Sequence, residues 1–224
     1  YNYDYWDDAI PSQSAYRVEK TVTGADMGLD RLSDPSDPLY ISDDAPAKLS
    51  DAKDLFYDQE NDTFWVCDSG NNRILRLDTD LKVTGCYTGF TGSTEISVGE
   101  DGRSTFLNPN GIYVKKSIFD DKLYVYIADT DNSRAVKCTV ESGTEMTLVQ
   151  EYTKPDTKLY DSETFNPSKI LADKAENIYV VCKSVNTGSV QFNKDGEFQG
   201  FYGANRVEVT AAVIAQKLWR KIAS

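Results

Sequence analysis

Between residues 53 and 203 the apolar residues gather in short runs rich in Val, Ile, Tyr and Phe, such as Leu123-Tyr-Val-Tyr-Ile-Ala128 and Ile178-Tyr-Val-Val-Cys182, the composition of strands. A period of two puts alternate side chains on opposite faces of a pleated strand. Turn-forming residues separate the runs: Ser-Gly-Asn-Asn at 69–72, Asp-Asn-Ser at 131–133 and Asn-Lys-Asp-Gly at 193–196. Short antiparallel strands are therefore predicted throughout the centre of the chain. The exception is residues 207–223, where Val213, Ile214, Lys217, Leu218 and Ile222 recur near the helical period behind Thr210, a good N-cap. That spacing predicts one amphipathic C-terminal helix.

The strand pattern repeats. Residues 53–89, 108–152 and 166–203 share one plan of a polar opening, two strands, a tight polar turn and two further strands. Aligning the copies places Cys67, Ala128 and Cys182 at one position, so that Lys183 stands where Asp68 and Asp129 do, and Gly188 where Arg73 and Arg134 do. A four-stranded sheet of this size cannot bury both faces alone, and stacking successive sheets solves the problem. The Asp ends a second strand and can accept hydrogen bonds from the turn backbone, while the Arg opens the third strand and can neutralise it. Asp68 with Arg73, and Asp129 with Arg134, are read as a structural clamp of the repeat. The third copy lacks that clamp, and its turn is expected to be looser.

Asp68-Ser-Gly-Asn-Asn-Arg73 and Asp129-Thr-Asp-Asn-Ser-Arg134, with the openings Phe106-Leu-Asn-Pro-Asn-Gly and Phe165-Asn-Pro-Ser, resemble the NHL repeat over about residues 49–203. The resemblance implies an all-β fold, a partial β-propeller of four-stranded blades at about 49–89, 106–152 and 165–203, of the six-bladed type if completed. Residues 1–48 form an aromatic arm in this reading, with Val18 to Val22 a candidate ring-closing strand, and 204–224 carry the helix. The aromatic start, Tyr1-Asn-Tyr-Asp-Tyr-Trp6, is read as a packing arm rather than a saccharide-stacking strip. Similarity to secreted bacterial NHL-repeat proteins implies that the chain is a truncated form. Half-rings of this kind are expected to self-associate, because an open propeller exposes a sheet face.

Composition narrows the chemistry. The 224 residues include no histidine, which removes imidazole general bases, Ser-His-Asp systems and imidazole-bound metals. A net charge of −12 argues against a nucleic-acid partner, whose affinity rests on neutralising phosphates. No run of some 18 to 20 apolar residues exists to insert into a membrane. The first residue is Tyr1 rather than Met, which fits a secreted or cell-surface product whose signal peptide has been removed. Four widely spaced cysteines, Cys67, Cys86, Cys138 and Cys182, read as buried unpaired thiols.

Function is read as non-catalytic binding or scaffolding, with a protein or a cell-surface saccharide as partner, no cofactor and no catalytic residue. Tyr113, Tyr124 and Tyr179 are the candidate binding aromatics. The alternative, from related six-bladed propellers, is a metal-dependent lactonase or esterase, in which oxygen ligands would hold calcium or magnesium. Asp54, Asn110 and Asn166, at the openings of the inner strands, are its candidate ligands.

Overall fold

In the computed structural model, residues 2–3, 5–6, 8–10, 18–92, 103–160, 162–183, 185 and 188–203 are described. The C-terminal helix expected at 207–223 lies outside them. Two short strands, β1 (Asn2–Tyr3) and β2 (Ala9–Ile10), pair near the start, and one helical turn, α1, spans Gly24–Met27. Three antiparallel sheets follow. The first is β3 (Asp54–Asp58), β4 (Thr63–Asp68), β5 (Arg73–Leu77) and β6 (Val83–Tyr87). Next come β7 (Gly89–Thr91) and β8 (Arg103–Thr105), then β9 (Pro109–Lys116), β10 (Leu123–Asp129), β11 (Arg134–Val140) and β12 (Met146–Tyr152). The last sheet is β13 (Pro167–Ala172), β14 (Ile178–Cys182), β15 (Ser189–Phe192) and β16 (Phe198–Tyr202). Each sheet is a meander in chain order, and the β7–β8 hairpin extends the second at its outer edge through a parallel pairing of β7 with β12.

Alternation along the strands sorts each sheet into two faces. Trp65, Cys67, Ile74 and Tyr87 of the first sheet pack on Ile112, Val114, Val125 and Ile127 of the second, where Trp65 and Tyr87 stack at 5.8 Å. On the second sheet's other face Tyr124, Tyr126, Ala128 and Ala135 meet Ile170, Ile178, Val180 and Phe192 of the third. The opening strands β3, β9 and β13 lie side by side at the centre. Four-stranded meanders stacked face to face around their first strands are the blades of a β-propeller. Over the described residues the fold is an arc of three such blades, all-β apart from short helical turns.

The blade at the start of the arc has a cap. Met27, Leu29, Leu32 and Leu39 cover Val66, Leu75, Leu77 and Cys86 on the face that no blade covers. Val18 to Val22, expected as a ring-closing strand, forms no strand; Val18 is 82% exposed, and Val22 packs beside the Met27 cluster. The reason is local. Thr23 caps α1 through a reciprocal pair of hydrogen bonds with Asp26, so the chain turns into a helix where the strand would have continued. Gly24 is needed there, since a Cβ would lie 2.0 Å from the Ala47 carbonyl oxygen. Tyr5 and Trp6 are exposed and meet each other edge to face at 5.1 Å, rather than lying buried across the blades.

The pairing also corrects the alignment of the third copy. Leu55 pairs with Val66, Ile112 with Ile127, and Ile170 with Val180. Cys182, two residues after Val180, therefore occupies the position of Asp68 and Asp129, and Val181 that of Cys67 and Ala128. Lys183 falls one place later. The turn to β15 is one residue longer than its counterparts, and that extra residue hid the register; residues 184, 186 and 187 of this turn lie outside the described ones.

Candidate functional site

The repeat position one residue before Leu55, Ile112 and Ile170 is Asp54, Gly111 and Lys169, one from each blade at the centre of the arc. The missing side chain at Gly111 lets β13 come close: a Cβ there would sit 2.7 Å from the Ser168 carbonyl oxygen and 2.8 Å from the Lys169 Cα. That approach lets Lys169 reach across the second blade to the first. Its Nζ lies 2.5 Å from Asp54 Oδ1 and 3.3 Å from the Lys53 carbonyl oxygen, while Asp54 Oδ2 accepts from the Ile112 amide at 2.9 Å. Both oxygens of the central carboxylate are therefore occupied by the protein. The alternation reading did not find Lys169, although its register position, shared with Asp54, was the signal that could have.

Asp68 and Arg73 form a buried ion pair of 2.7 Å, and Asp129 and Arg134 one of 2.8 Å. The backbone donors come from the segment that enters the blade and not from the turn. Asp68 Oδ1 accepts from the Ser50 amide and Asp129 Oδ1 from the Leu107 amide. Arg73 and Asn71 donate to the Lys48 carbonyl, as Arg134 and Asn132 do to that of Thr105. Burial pushes the Asp129 carboxyl up, against the pull of Arg134 and the donated hydrogen bonds. The next residue joins blades: Ser69 Oγ donates to the Pro109 carbonyl and Thr130 Oγ1 to that of Pro167, the latter at 2.7 Å.

A third buried charge pair sits between the second and third blades. Lys137 Nζ lies 2.7 Å from Glu176 Oε2 and 3.8 Å from the centre of the Tyr124 ring. Burial raises the Glu176 carboxyl, but the hydrogen bond from Lys137 and the lysine charge act against it, and the group is held below its ordinary range. Burial pushes the Tyr124 hydroxyl up to about 12, helped by its bond to Asp120.

The three candidate tyrosines do not share a groove. Tyr124 is buried under Lys137, Tyr113 meets Phe56 at 5.0 Å and Tyr126 at 6.1 Å, and Tyr179 stands on the outward face of the third blade beside Tyr202. The three candidate metal ligands are likewise apart in role. Asp54 is ion-paired, Asn166 donates to Thr164 at 3.2 Å, and Asn110 is buried with its Oδ1 lacking a hydrogen-bond partner. Among the described residues no group of three or more Asp, Glu and Cys is placed to hold a metal ion. The four thiols are unpaired and buried, and burial holds them protonated, those of Cys86 and Cys182 pushed up to about 12.

No family model matches the chain, and no curated protein matches it. Solved structures resemble it in part, three of them as follows. They are the hydrazine synthase of Kuenenia stuttgartiensis (12% identity over 74% of this chain and 40% of that one, TM-score 0.45), a protein assigned as a gluconolactonase (12%, 70% and 50%, 0.42), and a streptogramin B lyase (13%, 66% and 53%, 0.34). This chain thus spans about half the length of the structures it matches. At these identities and scores the likeness carries no argument about activity or ligand, and the fold rests on the sheets themselves. Among the described residues no helix is long and apolar enough to cross a membrane.

Proposed function

We propose that this chain is a non-catalytic binding scaffold built of NHL-type repeats, secreted or displayed at the cell surface, whose partner is a protein. One observation carries the reading. The outward face of the third blade presents Leu171 and Val181, each 47% exposed, together with Tyr179 and Tyr202. At the matching positions of the second blade, Tyr126 and Ala128 are buried under the third. A face with the pattern of an inter-blade surface that no blade among the described residues covers is a surface made for contact. A cell-surface saccharide stacking on Tyr179 and Tyr202 is the other ligand such a face would take.

The hydrolase reading is not supported by the described residues. A calcium or magnesium ion needs six or more oxygens, and the Asp54 carboxylate at the centre is already ion-paired with the Lys169 ammonium through one oxygen and accepts the Ile112 amide with the other. The single orphaned oxygen of Asn110 does not supply the rest. The test is twofold. Lactone and aryl-ester turnover in the presence of calcium or magnesium should not exceed the buffer rate; turnover abolished by Asp54→Asn would overturn the proposal. Binding of an apolar dye such as bis-ANS should fall in Val181→Asp, and an unchanged signal would show that this face is not the exposed one.

A further inference from the structure

We infer that Cys86 is an oxidation site, at which a peroxide converts the thiol to a sulfinate that completes the Arg73 clamp of the first blade. The inference goes beyond the binding reading and does not depend on it. It starts from a difference between two equivalent arginines. In the second blade Arg134 Nη1 lies 3.4 Å from Glu151 Oε1. In the first, Arg73 is 1% exposed, its Nε is paired with Asp68 and its Nη2 donates to the Pro46 and Lys48 carbonyls, yet its Nη1 is buried with no acceptor. A buried donor without a partner carries the whole cost of its desolvation.

The strand register shows what is missing. Val136 pairs with Glu151 and Leu75 with Cys86, so Cys86 stands where Glu151 does in the second blade. In the third blade that position is Phe201, opposite Val190, and Gly188 stands in place of the arginine, so donor and acceptor are lost together. Of the three blades, the first alone keeps the donor without the acceptor. A sulfinate would supply it, since it puts one negative charge and two oxygens on the atom next to Cβ, in a fork that suits a guanidinium.

Cys86 also has room and access. It lines a cavity of about 120 Å³ with Tyr40, Ile41, Thr88, Thr144 and Glu145, the last of them exposed. A water molecule's share of the liquid is about 30 Å³, so the cavity admits a peroxide and the oxygens it leaves behind. The charged groups around the thiol are Arg73, Asp68 and Glu145; burial pushes it up to about 12, with Arg73 acting the other way. Oxidation is therefore slow at neutral pH and gains about tenfold per pH unit as thiolate forms. The thiolate attacks a peroxide oxygen: an S–O bond forms, the O–O bond breaks, and hydroxide leaves to become water. A second peroxide oxidises the sulfenic acid in the same way, and the sulfinic acid loses its proton. One thiol and two peroxides thus give one sulfinate, one proton and two waters. Cys138 also feels an arginine, but Arg134 Nη1 already has Glu151, and Cys67 feels Lys169, which is paired with Asp54.

Peptide mapping by mass spectrometry, after the folded chain is treated with hydrogen peroxide at about pH 9, decides it. Cys86 should gain two oxygen atoms before Cys67, Cys138 or Cys182 does, and the oxidised protein should melt a few degrees above the reduced one. Oxidation of another cysteine first, or a lower melting temperature once Cys86 carries its oxygens, overturns the inference. A second arm needs no oxidant. Cys86→Asp places a carboxylate at the reach of the sulfinate, and Cys86→Asn the same shape without the charge. The Asp variant should melt above the Asn variant at neutral pH and lose that margin in acid as its carboxylate is protonated. An Asn variant as stable as the Asp variant at neutral pH also overturns it.

Discussion

The second and third blades solve the same problem in opposite ways. In the second, the segment entering the blade is tied down by charge: Asp129 receives the Leu107 amide and Arg134 donates to the Thr105 carbonyl, with both side chains fully buried. In the third, Cys182 takes the place of the Asp, Gly188 that of the Arg, and the residue matching Leu107 is Phe165. That phenylalanine is 2% exposed and packs on Tyr160 and Phe192, whereas Leu107 is 44% exposed. An aromatic anchor and a neutral thiol replace a buried ion pair. Both charges are gone together, as the energetics require: a paired buried charge can be exchanged for good packing at little cost, but a single buried charge left without its partner is expensive. The first blade follows the second, with Ser50, Asp68 and Arg73 in the corresponding places.

Substitutions that break one side of this comparison separate the two solutions. The largest effect is expected from Arg134→Met, which leaves the Asp129 carboxylate buried alone and should lower unfolding stability by about 3–5 kcal/mol. The double variant Asp129→Leu with Arg134→Met should cost clearly less than the sum of the single changes, as a chemical-denaturation cycle would show. Strict additivity would mean that the pair does not act as a unit.

Next in size is the reverse exchange. Cys182→Asp places a carboxylate in the third blade with no arginine opposite, and should cost about 3 kcal/mol at pH 7. Burial raises the folded-state pKa of such a group above its unfolded value of about 3.9, so the penalty is absent in acid and grows as the pH rises above about 4. A stability difference independent of pH would show that the new side chain reaches solvent.

Glu176→Gln probes the joint between the two blades. It should cost about 2 kcal/mol at neutral pH by stranding Lys137. The Glu176 pKa lies below its ordinary 4.5 in the folded protein. Its contribution is therefore present above that value and lost as the pH falls through the folded pKa, so the variant should show a shallower loss of stability in acid than the wild type. The smallest change is Ser69→Ala, which removes the hydroxyl bond from the first blade to the Pro109 carbonyl of the second. About 1 kcal/mol is expected, and a melting shift of a few degrees would report it. Ser69 has no counterpart in the third blade, where Lys183 follows Cys182.

Much of this architecture was legible in the residue pattern because alternation and turn chemistry are local. The strands of all three sheets, their four-membered repeat and the Asp and Arg positions flanking the tight turns of the first two blades come from runs of a few residues. Three features escaped. The register of the third copy was misplaced by one residue, since an identical Cys attracted the alignment while the longer turn did not show. Val18 to Val22 has strand composition, yet the Thr23 and Asp26 capping box directly after it decided otherwise. The central Asp54 and Lys169 pair joins residues 115 positions apart, and no local pattern carries that distance.

By itself the sequence determined that this chain forms small antiparallel sheets with one apolar-patterned face each side, that they repeat, and that imidazole chemistry is absent. Those are consequences of side-chain period, turn residues and composition, which act over short stretches. Only the tertiary structure decided which carboxylates are spent on lysine and arginine, which tyrosines are buried, and which sheet faces are covered. Stacking sets all three, because a face is hidden or open only through what packs against it, and the partner comes from far along the chain.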